Sequence, residues 1–358
     1  MKTAFNFLLA LVCMLLFSCQ KMEEGRSGDE ISFSAGYSVS AVPASTKVTL
    51  FGSDEDFKSK AGMGGFFRVE AYKNVDDKST SENHFTAPTT VMWHDDTQQE
   101  KTWRFYNLTD LVQRYWPQTY NLDFLAYMPL ERASTSTADR VVIKSDQNID
   151  PATYMTGPVY SDVEGNKGPV FTCTGLPLTA EAQAKVKEFI YAWKPNQSYA
   201  TQTNSGGKVE LDFVHPFSAV SIKIDGAHAG TVIHSVGFKS ISNDGTFNAA
   251  TNQWIPGTQS NNLIISAEHH IPNDIQIGHV YGPYLVVPQN HGSAVKITIN
   301  YTWRNIVEKE VDVALNSSWV SGKKYTYSVI LGDMSEDVKV VVSVDPWVAG
   351  TNQELEVK

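Results

Sequence analysis

The side chains that could do chemistry in this chain are few and awkwardly spaced. WHDD, residues 93–96, and EHH, residues 268–270, contain metal-ligating types. Adjacent residues on a strand point to opposite faces, so neither run closes on one ion unaided, and both read as exposed turn residues. GSDEDF, residues 52–57, alternates acids somewhat as a calcium loop does, but lacks the central glycine and the closing glutamate. It reads as a solvated loop. Glycine-rich GMGGFF, residues 62–67, leads into a strand and not into a helix N-terminus, so it offers no phosphate cradle. It reads as a hinge or loop. Neither G-x-S-x-G nor H-E-x-x-H occurs. No catalytic, cofactor-binding or metal-ligating residue is assigned, and the expectation is a protein that is not an enzyme and carries no cofactor.

Cysteine usage says more about address than about chemistry. Lys2 precedes an apolar run from Ala4 to Leu16, and LFSC, residues 16–19, ends it at a small residue and a cysteine. A run this short is a secretory signal, not a mature membrane span. With cysteine at the cut, residues 1–18 are expected to leave as a lipoprotein signal and Cys19 to become the acylated N-terminus. QKMEEGRSGDE, residues 20–30, is polar, acidic and aperiodic, which is tether composition. Its lysine and paired acids resemble the surface-export signal of Bacteroidetes lipoproteins. Of the three cysteines, Cys13 leaves with the signal and Cys19 carries lipid. Cys173 then stands alone, without a disulfide partner, and reads as a small core residue. A net charge of −10 without a basic cluster argues against nucleic acid and anionic lipid surfaces as partners.

Elsewhere the dominant signal is a period of two. ISFSAGYSV places Ile31, Phe33, Ala35, Tyr37 and Val39 on one face, and KVELDFV does the same with Val209, Leu211 and Phe213. AVSIKI, VKITINYTW, EVDVAL, KYTYSVIL and VKVVVSV follow the same rule. Short alternating strands divided by Gly, Ser, Asn and Asp imply sheets with one buried face, in a sandwich or barrel. Helical spacing is confined to LTAEAQAKVKEFI, with Thr179 as cap, and LTDLVQRYWP, stopped by Pro117; these are short connectors. The length exceeds what one core usually serves. Strand counting puts the cut near Asp225, giving an N-terminal domain of residues 31–225 and a C-terminal domain of residues 226–358.

Five strand-end motifs carry a resemblance. WPQTYNLDFLAYMP, LDFVHPFSAVSIKI, YLVVPQ, WVSGKKYTYSVIL and VSVDPW occur in that order after the lipoprotein signal. Together they resemble the fimbrillin family, the subunits of type V pili of Bacteroidetes, over nearly the whole mature chain. The resemblance implies an all-β fold of two transthyretin-like Greek-key β-sandwich domains with short connector helices. It also implies a structural or adhesive subunit of a surface pilus, supporting adhesion and biofilm formation. Its expected partners are other pilus subunits, the outer membrane through the lipid, and a host or bacterial surface receptor.

In that family a trypsin-like protease cuts after the first strand, and the groove so opened takes a terminal strand of another subunit. The matching basic residue here is Lys47, where the family has arginine. The candidate donor face is Val338, Val340, Val342 and Val344, extended by Leu355 and Val357; the alternative is that these segments complete their own C-terminal domain. The alternative reading is a surface glycan-binding β-sandwich lipoprotein. Its mark would be exposed tryptophans on one face, whereas Trp303, Trp319 and Trp347 lie at strand positions expected in a core.

Overall fold

The computed structural model describes residues 30–37, 66–85, 88–94, 102–106, 114–128, 149–202, 208–271, 278–304, 306–332, 338–347 and 353–355. Cys19, Lys47, Val357 and GSDEDF fall outside these residues. The first part of the chain forms β1 (Ser32–Tyr37), β2 (Phe66–Val75), β3 (Lys78–Asn83), β4 (Thr89–His94), β5 (Thr102–Tyr106), β6 (Asn121–Tyr127), β7 (Met155–Ser161), β8 (Gly168–Thr174), β9 (Tyr191–Gln197) and β10 (Lys208–Phe213). Seven of these run in one continuous order, β10-β1-β5-β4-β2-β6-β9, with β3 added to β2. The ends of that order meet again. Tyr191 and Val214 exchange both backbone hydrogen bonds, at 3.2 and 2.8 Å, so the sheet wraps around one core.

Alternation explains why these segments are strands. Val209, Leu211 and Phe213 are buried between exposed or half-buried Lys208, Glu210 and Asp212. The β2–β3 turn has two residues, Asp76 and Asp77, both left-handed at φ 52° and 58°, the geometry that matches hairpin twist. Strand β6 is buried on both faces. Its Asp123 is 1% exposed, and its Oδ1 accepts from the Asn74 side-chain amide at 2.8 Å and the Asn196 backbone N–H at 2.6 Å.

The second part forms β11 (Ser218–Gly226), β12 (Val232–Ile241), β13 (Asp244–Asn248), β14 (Gln253–Pro256), β15 (Asn261–His270), β16 (His279–Val286), β17 (Lys296–Trp303), β18 (Val307–Ala314), β19 (Lys323–Ile330), β20 (Lys339–Pro346) and β21 (Gln353–Leu355). Sheets β16-β11-β19-β20-β21 and β15-β12-β17-β18 enclose the second core. In each unit the first strand pairs in parallel with a late strand, β1 with β10 and β11 with β19. This crossing is the transthyretin-like Greek key. Gly322, at φ 68°, makes the turn into β19. Trp303, Trp319 and Trp347 are 8%, 2% and 1% exposed, as core positions require.

Two features depart from the sequence reading. The helix expected over residues 179–190 is a single turn, α1 (Ala180–Gln183), although Thr179 caps it by accepting from the Ala182 N–H at 3.2 Å. Beyond it Val186 bridges Ile149, and Val186, Phe189 and Ile190 are buried; tertiary packing outweighs local helical preference. Of the other expected helix, residues 114–117 are described. They are not helical, and Tyr115 bridges Glu30. The expected cut near Asp225 lies inside β11, whose partners β16 and β19 both belong to the second unit. Ala219 packs in the first core and Val220 in the second. Alternation marks a strand but does not say which core receives it.

A small third sheet, β14-β13-β8-β7, spans the two units. Its β7 and β8 are an insertion between β6 and β9, and its β13 and β14 an insertion between β12 and β15. Phe247 of β13 packs on Tyr191 at 4.9 Å, and Trp254 of β14 donates to the Pro216 carbonyl at 2.6 Å. Gln183 strengthens the joint. Fully buried, it donates to the carbonyls of Pro177 and Leu285 at 2.6 and 2.9 Å and accepts from the Leu285 N–H at 2.8 Å.

Gln183→Ala is therefore expected to destabilise the protein by about 2–4 kcal/mol, because it strands a buried N–H and carbonyl of Leu285. Urea unfolding followed by tryptophan fluorescence checks this. Burial also predicts a pH effect. His291 is 1% exposed, packs edge-on against Trp319 at 4.4 Å, and neither of its ring nitrogens has a hydrogen-bond partner among the described residues. Burial lowers its pKa from 6.5 to about 4. The folded value lies below the unfolded one, so this contribution is complete above pH 6.5 and is lost as pH falls towards 4. His291→Leu should give a shallower fall in urea midpoint between pH 7 and 4; an unchanged slope would refute the assignment.

Candidate functional site

The feature with functional potential is the first strand and its setting. β1 lies between β10, which it meets in parallel from Ser32↔Lys208 to Tyr37↔Phe213, and β5, which it meets at Phe33↔Trp103. Ile31, Phe33 and Ala35 are 1%, 1% and 7% exposed. Phe33 makes edge-on contacts with Phe67, Phe105 and Phe124, at centroid distances of 6.1, 5.3 and 5.6 Å. Ahead of the strand, the Ile31 N–H donates to the Arg114 carbonyl at 2.7 Å. This is an apolar seat with a backbone ladder on one side. A segment leaving it would expose both the ladder and the aromatic pocket, the two things that an added strand recognises.

At the other end of the chain, β20 pairs with β19 from Lys323↔Pro346 to Ile330↔Lys339. Val340 and Val342 are buried in the second core, and Val338 and Val344 are half-buried against it. Leu355 lies in β21, opposite Val342. The four valines named from alternation thus share one face, and that face covers their own sandwich. Trp347, just after β20, reaches the first core. It stacks on His215 at 4.0 Å with an interplanar angle of 10°. The His215 Nδ1–H donates to the buried Glu188 carboxylate, and burial with the nearby Lys324 ammonium holds this imidazole below the ordinary histidine range. Burial lowers the Lys324 pKa too, against the pull of Glu188 and Asp345. Sequence reasoning placed Trp347 in a core but missed this seam cluster, whose members come from four separate segments. His215, Lys324 and Trp347 stand in three of the five quoted motifs, but nothing in the sequence brings those motifs together.

The other candidate residues are dispersed. Trp93 and His94 are in β4, and Asp95 and Asp96 lie outside the described residues. In β15, Glu268 approaches His234 at 3.3 Å, while His269 stacks on His279 at 4.3 Å. No three metal-ligating side chains converge among the described residues. Cys173 is buried, its thiol pushed up to about 11 by burial and directed at the Asn243 carbonyl at 3.5 Å. Glu70 is a buried carboxylate raised above its usual range by desolvation. The hydroxyls of Tyr72 and Tyr127 donate to it at 2.5 and 3.0 Å, which accounts for it as a structural group.

Against this geometry, the sequence profile of the fimbrillin-like family matches residues 44–347. The chain belongs to the fimbrillin-like family. No curated protein matches it. Among solved structures this fimbrillin-like chain is similar to a fimbrial protein from Bacteroides vulgatus, at 15% identity and a TM-score of 0.53, over 89% of this chain and 99% of that one. Looser likenesses include a fimbrial assembly protein from Parabacteroides distasonis, at 9% identity and TM-score 0.43 over 91% and 98% of the chains. Another is the fimbrial anchor protein Mfa2 from Porphyromonas gingivalis, at 8% and 0.38 over 89% and 98%. Identities this low speak to fold alone.

Phe33→Ala measures how strongly the first unit of this fimbrillin-like protein depends on β1. Truncating a ring held by three others is expected to cost about 3–5 kcal/mol, read as a lowered denaturant midpoint. A cost below about 1 kcal/mol would mean that the first sandwich does not need its first strand.

Proposed function

We propose that the chain is a building block of a surface pilus, exported as a lipoprotein through Cys19 and joined to its neighbours by strand exchange. Family membership supports the pilus subunit, and the observation that carries the finer reading is the seat of β1. It is deep, apolar and lined by aromatic rings, and it holds a strand connected to β2 only through residues 38–65, which contain Lys47. Cleavage at Lys47 would leave β1 attached by non-covalent contacts alone. The incoming strand is the C-terminal segment of another subunit, with Val338, Val340, Val342 and Val344 facing in and Leu355 and Val357 following. Burying four valines contributes on the order of 6 kcal/mol before ordering costs. To donate, β20 must leave β19 and its own core, so export and assembly hold the subunit in a state that favours exchange. The burial of Trp303, Trp319 and Trp347 removes the mark that would favour a monomeric glycan-binding lipoprotein. The lipid at Cys19 ties the subunit to the outer membrane before assembly, and a host or bacterial surface receptor is the partner of the finished fibre.

Limited trypsin treatment of the full chain tests this. The cut wild type is expected to form ladders resolvable by gel electrophoresis. Lys47→Ala should remain monomeric, and excess peptide spanning residues 31–39 should suppress polymerisation by reoccupying the seat. Deleting residues 349–358 should shorten the ladders. Cut protein that stays monomeric, or a Lys47→Ala variant that polymerises equally, would overturn the strand-exchange reading and leave the family assignment standing.

A further inference from the structure

A cavity of about 760 Å³ opens in the first sandwich, and its Trp116 packs on Phe124, one of the rings around Phe33, at 5.7 Å. Three separated segments build it: the β2–β3 turn, the stretch before β6, and the short helix α2 (Tyr199–Gln202) after β9. Its rim is pre-set. Asn196, left-handed at φ 56°, accepts from the Asn121 amide at 2.6 Å and donates to Asp77 Oδ1 at 3.0 Å, while its backbone N–H is held by Asp123. Tyr120 is fixed through its hydroxyl by His84 at 2.9 Å. Tyr199, contributed by α2, is 43% exposed. At the floor, Asn74 and Trp116 are 6% and 3% exposed, and each keeps a polar atom, Oδ1 and Nε1, without a partner among the described residues. Buried polar atoms left unpaired are costly, and a polar ligand or water relieves them.

The lining selects the chemistry. Asp76 and Asp77 are carboxylates, and the lining contains no lysine, arginine or histidine, which disfavours phosphate, sulfate and acidic sugars. The Lys73 ammonium is engaged by Glu82 at 2.6 Å and lies over one face of the Tyr120 ring, 5.5 Å from its centroid, which leaves the other face to a ligand. Metal binding would need a third ligand of the right type, and the described residues supply none. Two tyrosine faces with carboxylates and side-chain amides between them suit a ligand with apolar C–H faces and many hydroxyls. Hydroxyls donate to carboxylates in strong charge-assisted hydrogen bonds, and tyrosine offers a flat apolar surface with a polar tip. The geometry points to a binding site for a neutral oligosaccharide, held between Tyr120 and Tyr199 with Asp77 accepting from its hydroxyls. Such a site would let a pilus subunit adhere along its length.

The full chain is titrated, by isothermal calorimetry and tyrosine fluorescence, with neutral gluco-, manno-, galacto- and N-acetylglucosamine oligosaccharides of about three to six units, each beside a sulfated counterpart. At least one neutral member is expected to saturate one site in the micromolar to low-millimolar range, its sulfated form binding at least about tenfold more weakly. Tyr199→Ala and Asp77→Asn, checked for unchanged melting temperature, should each weaken binding by about tenfold. Asparagine keeps the bond to Asn196 and tolerates the left-handed backbone. The proposal is overturned if no neutral member saturates by about 5 mM, or if binding survives both substitutions. It is also overturned if a peptide of residues 20–29 or a second copy of the chain occupies the cavity instead. Loss of polymerisation with retained saccharide binding would sink only the strand-exchange reading.

Discussion

The structure depends on a parallel pairing in each sandwich between its first strand and a late one. Parallel neighbours cannot be joined by a tight turn, so each first strand reaches its place only after the chain has gone round the whole unit. In the second unit β11 is bound into the chain on both sides, following β10 after residues 214–217 and leading into β12. In the first unit β1 is joined onward only through residues 38–65. The two strands occupy equivalent positions but are unequally tethered. Departure of β1, which lies between β10 and β5, would uncover a ladder edge and an aromatic pocket together.

The two units are held to each other by the joint between them. Insertions from both sandwiches form the third sheet, so backbone hydrogen bonds, and not side-chain contacts alone, cross the boundary. Gln183 satisfies the Leu285 backbone on both its donor and acceptor sides, and Trp347 crosses from the end of β20 to stack on His215. A two-domain chain with a small polar interface would flex at its linker. Here residues 214–217 are bracketed by the Tyr191–Val214 bridge, the Trp254 bond to Pro216 and the buried ring of Phe217. The end of β20 and the core of the first unit are thus linked.

The strands were legible because alternation is a local consequence of pleating, and Phe33, Leu211, Ile299 and Val342 all lie on the face their spacing assigns. The transthyretin-like crossing followed from the family resemblance, since strand order is not written in periodicity. The domain boundary was misplaced because β11 looks the same whichever core it serves. The single-turn α1 was over-read because Val186, Phe189 and Ile190 have helical spacing but are buried through extended backbone and the bridge to Ile149. The cavity left no trace in the sequence. Asp77, Asn121, Asn196 and Tyr199 come together only when three segments meet, and each looks like an ordinary turn residue where it stands.

The pocket around Phe33 also constrains what can replace β1. Three aromatic rings surround a phenyl group, and interiors of this density do not close freely around a smaller side chain. If β20 of another copy entered in register, a valine would stand where the ring had been. The unfilled volume would cost on the order of 1–3 kcal/mol relative to a well-fitting aromatic. Backbone pairing with β10 would be unaffected, because it does not depend on side-chain size. A joint between identical subunits would therefore be held by the ladder and three well-placed valines, with one position underfilled. A donor from a different subunit that carries an aromatic at the Phe33 position would fill the pocket and displace the homotypic donor. Were β1 replaced by strand exchange, the choice between a uniform and a mixed fibre would turn on the residue that meets Phe67, Phe105 and Phe124.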